Sequence, residues 1–302
     1  MTKRLIVGIG EALVDVLPSG EVVGGAPLNF SIRAAELGSV TGCSVALLTR
    51  IGADSRGEKI LERLRDSHLD TCGVQVDSRL QTGYVDVSLE SGQPNYTIGE
   101  NVAWDAIAFD ELAVDLAQRC NTLCFGTLAQ RHTTTRETLK QFLDVAREAV
   151  KILDINFRRP LPTVDIIAQS LSAADVLKCN EDELLQLAEW LRLAERQQAT
   201  EIASELQQQF ELRCVFWTRG AAGCRWQSGH DIVDAQVPQL PAADNADSVG
   251  AGDAAAAALA IGLTLDWSPE RIVRVANQCG AFAASQRGPT TPLPEEMLAA
   301  IA

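Results

Sequence analysis

The stretch DSVGAGD, residues 247–253, runs directly into AAAAALAIGL, residues 254–263. Gly250 and Gly252 permit a tight turn and bring bare backbone close to a ligand. The alanine run after them reads as the start of a close-packed helix. A helix opening at such a turn presents unpaired N–H groups, which favour an anion. Asp253 therefore puts a carboxylate into an anion site. That placement has a use if the carboxylate takes a proton from a hydroxyl attacking a bound phosphoryl group. The plain alternative is a Gly-rich cap in which Asp253 only complements the helix dipole.

A second stretch bears on the choice. GGAPLNFSIRAAELG, residues 24–38, places Pro27 in the first turn of a helix and Gly38 at its expected end. Gly24 and Gly25 again offer bare backbone. Asn29 offers both a donor and an acceptor to a polyol. Around these two stretches, short apolar runs at residues 5–9, 44–48, 122–126, 151–155, 175–179 and 214–218 alternate with helix-period segments. In residues 135–150, Leu139, Phe142, Leu143, Ala146 and Val150 share one helical face. Runs of Val, Ile, Leu and Cys without polar alternation are strands covered on both sides. The pattern predicts one α/β domain over residues 1–302: a doubly wound, mostly parallel sheet with helices on both faces.

Residues 82–89 break the pattern by alternating with period two, residues 90–93 read as a turn, and 95–98 return. This predicts an antiparallel hairpin outside the central sheet. With residues 13–23 it would form a small β lid. An edge hairpin of the main sheet is the alternative.

Composition excludes several classes. The net charge is −14 with no basic tract, unlike a nucleic-acid binder. No apolar run approaches the ~20 residues of a membrane span. The apolar stretch at residues 5–9 is strand-sized and lacks the form of a signal peptide, so the expectation is a cytoplasmic protein. Eight cysteines show no C-x-x-C spacing and read as buried reduced thiols. His68, His132 and His230 show no ligand or triad spacing and are expected at the surface.

Residues 24–38 resemble the N-terminal signature of the PfkB, or ribokinase-like, carbohydrate kinases. Residues 247–253 resemble that family's C-terminal signature, D-T-x-G-A-G-D. Further similar segments are GEALVD (10–15), RIGAD (50–54) with Gly57, DINFR (154–158), KCNEDE (178–183), TRGAAG (218–223), Ala276-Asn277 and QRG (286–288). The resemblance covers residues 4–294. It departs at Ser248, where the signature has threonine, and at Ala255, where phenylalanine is common.

The resemblance implies a ribokinase-like fold and phosphoryl transfer from ATP to a sugar, with Mg²⁺. Asp253 would be the base, and the amides of Gly250, Ala251 and Gly252 an anion hole. Arg158 would sit over the phosphate or the sugar. Asp15, Gly24, Gly25 and Asn29 would hold the sugar. Asn156, Lys178, Asn180, Glu183, Thr218, Gly220, Gly223 and Asn277 would line the nucleotide, with Glu183 reaching Mg²⁺ through water. Asn180 and Glu183 also fit a helix capping box, and both readings can hold together. Asp247 would help bind K⁺.

Fructose, phosphorylated at its terminal hydroxyl, is the expected substrate. A 2-keto-3-deoxygluconate kinase is the alternative. Its acid substrate needs a cation that NYTIGEN (95–101) lacks, and Arg131 is the residue able to supply one. Another PfkB-family sugar kinase, or a catalytically idle sugar or nucleotide sensor, completes the set of readings. The apolar face of Val85, Val87 and Leu89 suggests a homodimer.

Overall fold

Leu5–Ile9 (β1) is buried along its whole length, with Leu5, Val7 and Ile9 on one face and Ile6 on the other. Full burial of each such aliphatic side chain contributes about 1.5–3 kcal/mol. The computed structural model describes residues 4–18, 20–90, 93–193 and 198–302. Its further strands are β2 (Leu13–Leu17), β3 (Gly20–Gly24), β4 (Ser44–Gly52), β5 (Val74–Asp77), β6 (Gly83–Glu90), β7 (Gln93–Ile98), β8 (Cys120–Phe125), β9 (Val150–Asp154), β10 (Val176–Asn180), β11 (Cys214–Thr218), β12 (Cys224–Ser228) and β13 (Asp231–Asp234). The helices are α1 (Ala26–Thr41), α2 (Ser55–Arg65), α3 (Glu111–Arg119), α4 (Thr133–Val145), α5 (Val164–Ala173), α6 (Glu181–Trp190), α7 (Ala199–Phe210), α8 (Ala251–Thr264), α9 (Pro269–Ala284) and α10 (Glu295–Ile301).

Nine strands form the central sheet in the order β13-β12-β11-β10-β9-β8-β1-β4-β5. It is parallel from β11 to β5, and β12 and β13 run antiparallel at one edge. Two apolar cores sandwich it. One joins Ile6 to α1, α2, α8 and α9, and the other joins Val7 to α3, α4, α5, α6 and α7. The chain leaves β1 toward β4 on one side and later returns to β8 on the other. Such a reversal opens a crevice beyond the carboxyl ends of the strands, where open α/β sheets bind ligands.

The second sheet has the order β3-β2-β6-β7, with β2 parallel to β6 and the other pairs antiparallel. Residues 13–23 and 82–98 thus share one small sheet, apart from the central one. Val85 is buried within the single chain. Ser91 and Gly92 of the expected turn, and the side chains of Val87 and Leu89, lie outside the described residues.

Two sequence expectations need correction. The helix predicted over residues 135–150 stops at Val145, because Val150 pairs with Thr122 as the first residue of β9. The helix expected to end at Gly38 continues to Thr41 and stops at Gly42, which takes the left-handed conformation at φ 81°. Gly38 serves close packing instead: a Cβ there would lie 2.7 Å from the Cys43 carbonyl oxygen. All eight thiols are free; seven are buried, but Cys72 is exposed, against expectation, and all three histidines are exposed.

Candidate active site

The glycine turn before α8 has the conformation its sequence demands. Gly250 caps the helix at φ 80°, and a Cβ there would meet the Pro289 carbonyl oxygen at 2.6 Å. A side chain would be strained twice, by backbone angle and by contact. Asp253 follows in the first turn and is buried. Asn29, in the first turn of α1, donates from Nδ2 to Asp253 Oδ2 at 2.9 Å. Residues 224 apart in sequence therefore meet at the starts of two packed helices.

Lys178 reaches the same place from β10. Its Nζ donates to Asp154 Oδ1 and Oδ2 at 2.9 and 3.0 Å, and both side chains are buried. A Cβ on Gly252 would lie 3.2 Å from Lys178 Nζ, so the ammonium abuts the opening of α8. The site thus combines helix N–H groups and a fixed cation with a carboxylate, the pairing that phosphoryl chemistry requires.

Burial and then the neighbouring Asp154 charge raise the Asp253 carboxyl to about 6, against the pull of Lys178, Asn29 and Arg158. Burial alone would lower the Lys178 ammonium, but the Asp154 and Asp253 charges raise it above its ordinary value. Arg158 is exposed and donates to its own neighbour's carbonyl, Phe157 O, at 2.9 Å. Its charge is nonetheless felt at Asp253, Glu11 and Asp15.

A pocket at the ends of β1, β8 and β9 adjoins this cluster, and its walls include Glu11, Phe30, Thr127, Asp154 and Asn156. Asn156 stands at φ 38°, in the left-handed region that asparagine tolerates. Asp15 lies on β2, half-buried, and burial raises its carboxyl. A Cβ on Gly24 would come 2.9 Å from Asp15 Oδ2, so the bare backbone of β3 leaves room for that carboxylate.

Arg131 is engaged elsewhere. Its Nε and Nη2 grip Asp105 Oδ1 and Oδ2, each at 2.8 Å, and Nη2 also reaches the Gly99 carbonyl. The guanidinium lies 4.0 Å from the Trp104 ring centroid. Glu183 is also committed: Oε1 accepts the Phe157 N–H and Oε2 the Asn180 N–H, both at 2.8 Å. Asn180 Oδ1 returns the favour to the Glu183 N–H, completing a capping box on α6.

At the far end of the sheet, Thr218 closes β11, and Gly220 and Gly223 turn the chain into β12. Asn277 on α9 accepts the Cys224 N–H at 2.7 Å and donates to the Ala235 carbonyl at 2.8 Å. Both ends of its amide are therefore spent on backbone. A Cβ on Gly223 would strike Asn277 Oδ1 at 2.7 Å. Asp247 likewise accepts from Val249 and Gly288 N–H at 3.0 and 3.2 Å, tying the glycine turn to the loop after α9.

Residues 17–296 match the model of the pfkB family carbohydrate kinases. The chain belongs to this family. Fructokinase-1 of Oryza sativa subsp. japonica is 28% identical, covering 98% of this chain and 96% of its own. An uncharacterised sugar kinase of Pyrococcus horikoshii is 27% identical over 97% of this chain and 94% of its own. The fold is that of a Xylella fastidiosa fructokinase crystallised with bound ATP, at TM-score 0.84 and 22% identity over 99% of this chain and 98% of that one. The pfkB chain is thus a carbohydrate kinase on a ribokinase-like scaffold.

The structure brings Asp253, Asn29, Lys178 and the glycine turn, each singled out in the sequence, to one place, while sequence reasoning gave no role to Asp154, Asp105 or Glu11. A signal for Asp154 was available. Lys178 sits in the apolar run VLKC, and a buried ammonium requires a carboxylate partner. Asp105 carries no comparable pattern, because its partner Arg131 ends a single 3-10 turn of ordinary composition, Leu128–Arg131.

Proposed function

We propose that this pfkB-family chain is an ATP-dependent fructokinase that phosphorylates the terminal hydroxyl of fructose. The observation that carries the reading is Asp253, buried at the opening of α8, oriented by Asn29 and flanked by Lys178. In this reading Asp253 accepts the proton of the attacking hydroxyl. The amides of Gly250, Ala251 and Gly252 receive the charge that develops on the transferred group. Phosphoryl transfer asks mainly for positioning and charge stabilisation, which these groups supply. Asp15, Gly24, Gly25 and Asn29 border the sugar, and the small sheet covers it. Thr218, Gly220 and Gly223 line the nucleotide, while Asn277 holds their loop in shape.

Mg²⁺, when bound, would neutralise phosphate charge. The donor set fits such an ion held mostly by phosphate and water. Both Glu183 oxygens already accept backbone N–H groups, and among the described residues no cluster of three or more His, Cys, Asp or Glu forms a cage. Glu183 and Asn180 would act through intervening water. A K⁺ ion near Asp247 fits in the same indirect sense: that carboxylate orders the turn and the 286–288 loop. A cytoplasmic setting is part of the proposal.

The Arg131–Asp105 pair favours fructose over 2-keto-3-deoxygluconate. A substrate carboxylate would have to compete with a bidentate partner already in place. The retained base and glycines favour an enzyme over an idle sensor. Ala255 is buried within α8 and Ser248 is exposed, so neither departure from the family signature removes a reacting group. The test is a coupled ADP-release assay comparing kcat/KM for fructose and 2-keto-3-deoxygluconate. Fructose is expected to be preferred by at least about tenfold, the lower end of what one buried hydrogen-bonding group without a partner costs. Preference for the acid overturns the substrate, and binding without turnover across a sugar panel overturns the kinase reading.

A further inference from the structure

Arg33 is 1% exposed and lies one turn beyond Asn29 on the same face of α1. A guanidinium keeps its charge even in the interior, so its burial demands fixed partners. Nη1 donates to Glu36 Oε2 at 2.6 Å, and Nη2 donates to the Thr291 carbonyl at 2.8 Å. Nε is buried and has no partner among the described residues. Glu36 Oε1 in turn accepts the Leu293 N–H at 3.1 Å. From α2, Arg63 donates through Nη2 to the Thr290 carbonyl at 2.7 Å and through Nε to Thr290 Oγ1 at 3.2 Å. Three side chains from two helices thus grip residues 290, 291 and 293.

The gripped segment lies between α9 and α10, and Pro289 and Pro292 lack an N–H to anchor it. Its near end backs the glycine turn. The Gly288 N–H reaches Asp247 Oδ2 at 3.2 Å, and the Asp247 N–H reaches the Gln286 carbonyl at 3.0 Å. Pro289 is buried against Gly250, where a Cβ would lie 2.6 Å from the Pro289 carbonyl oxygen and 2.7 Å from its Cα. Whatever fixes residues 290–293 therefore fixes the wall on which the turn rests. Stability gives little reason for the arrangement. Apolar residues of similar volume often replace a buried ion pair without loss, and the orphaned Nε is a further cost. The charged fork does supply what apolar residues cannot, a set position for a loop carbonyl.

We propose that Arg33, Glu36 and Arg63 are positioning residues for phosphoryl transfer: together they hold residues 289–293 as a fixed backing for the glycine turn, and so set where its amides point. The proposal rests on the reading of the Gly250, Ala251 and Gly252 amides as the anion hole. Through Asn29 and Arg33, α1 then serves both halves of the site, orienting Asp253 with its first turn and bracing the glycine turn with its second.

The experiment uses the full chain with ATP and whichever sugar of the panel the parent chain phosphorylates. The main variant is Arg33→Met with Glu36→Leu, which removes the pair and keeps its bulk. It should fold, with an unchanged circular dichroism spectrum. Its kcat should fall about ten- to hundredfold, the cost of a displacement near 1 Å in a reacting group. KM for the sugar and affinity for ADP alone should stay within about twofold, because the turn acts on charge that develops in transfer. Affinity for ADP with aluminium fluoride, a mimic of the transferring group, should fall in parallel with kcat. Hydrogen exchange reads the turn without turnover: the bonded amides of Asp247, Ala251 and Gly288 should lose protection. Arg63→Met leaves the buried pair untouched and should show the same pattern at about threefold, a smaller displacement. It carries the test if the main variant does not fold. Unchanged kcat in a folded variant overturns the proposal. So do unchanged exchange at those three amides and a loss of ADP affinity that matches the loss of kcat. Gly250→Ala is the separate control on the turn. Near-normal turnover there overturns the anion-hole reading, and the exchange result still decides whether the grip orders the turn.

Discussion

The opening of α8 and the loop between β11 and β12 border the same face of the sheet but are built differently. At α8, ionisable side chains do the shaping. Asp253, Lys178 and Asp154 are buried together, each charge held by another or by Asn29. At the β11–β12 loop, glycines and backbone groups shape the surface; Arg219 braces the Ala222 carbonyl and pairs with Asp234 at the exposed rim, and Asn277, behind the loop, spends both ends on main chain. Where protons and phosphoryl groups move, preorganised charge is needed, and it can be kept only by mutual pairing. Where a flat ring would be held, as proposed for the β11–β12 loop, shape carries most of the fit, and the polar groups need mainly to be satisfied.

The largest expected effect tests the charged end directly. Asp253→Asn should lower kcat by ~10²–10⁴, the usual worth of a general base. ATP affinity, measured by calorimetry, should change little. A variant with near-normal turnover would place proton removal on another group and break the contrast.

A second effect concerns protonation of the same group. Asp253 must be ionised to accept a proton, and its folded-state value is pushed up to about 6. Activity is therefore present above that value and lost as pH falls through it. Below about pH 6, log kcat/KM should fall with a slope near one, about tenfold per pH unit. A profile flat down to pH 4.5 would mean that Asp253 is less shielded than its burial implies.

The smallest effect belongs to the glycine-shaped end. Asn277→Ala removes hydrogen bonds from the buried Cys224 N–H and the partly buried Ala235 carbonyl and should destabilise the fold by about 1–3 kcal/mol. KM for ATP should rise several-fold with kcat nearly unchanged, as loss of uniform binding predicts. A fall in kcat matching that of Asp253→Asn would erase the distinction between the two ends.

The fold was largely legible because parallel strands covered on both faces have a plain signature. Residues 5–9 and 214–218 match β1 and β11 in full. Boundaries failed where a local pattern ran across a tertiary demand. Val150 continues the helical face of Leu139 and Phe142, but the ladder with Thr122 claims it. The candidate site was legible where a motif joins glycine, charge and a helix start, as in residues 247–253. It was illegible where the partner of a charge comes from a distant segment. Nothing in the spacing of Asp105 and Arg131 announces a bidentate pair stacked on Trp104. Asn277 illustrates the opposite case: its position was readable, but only coordinates reveal that its amide faces backbone.

The sheet order bears on how the chain reaches activity after synthesis. β1 lies between β4 and β8, so the first strand lacks one neighbour until residues 120–125 are in place. The Asn29–Asp253 contact closes a still longer loop, of 224 residues. Contacts so far apart in sequence form late, since the entropy of closing the loop is lost before the contact returns anything. An N-terminal portion can collapse and even build part of the sheet while lacking the proposed proton acceptor altogether. In refolding experiments, recovery of turnover should therefore trail recovery of helical circular dichroism.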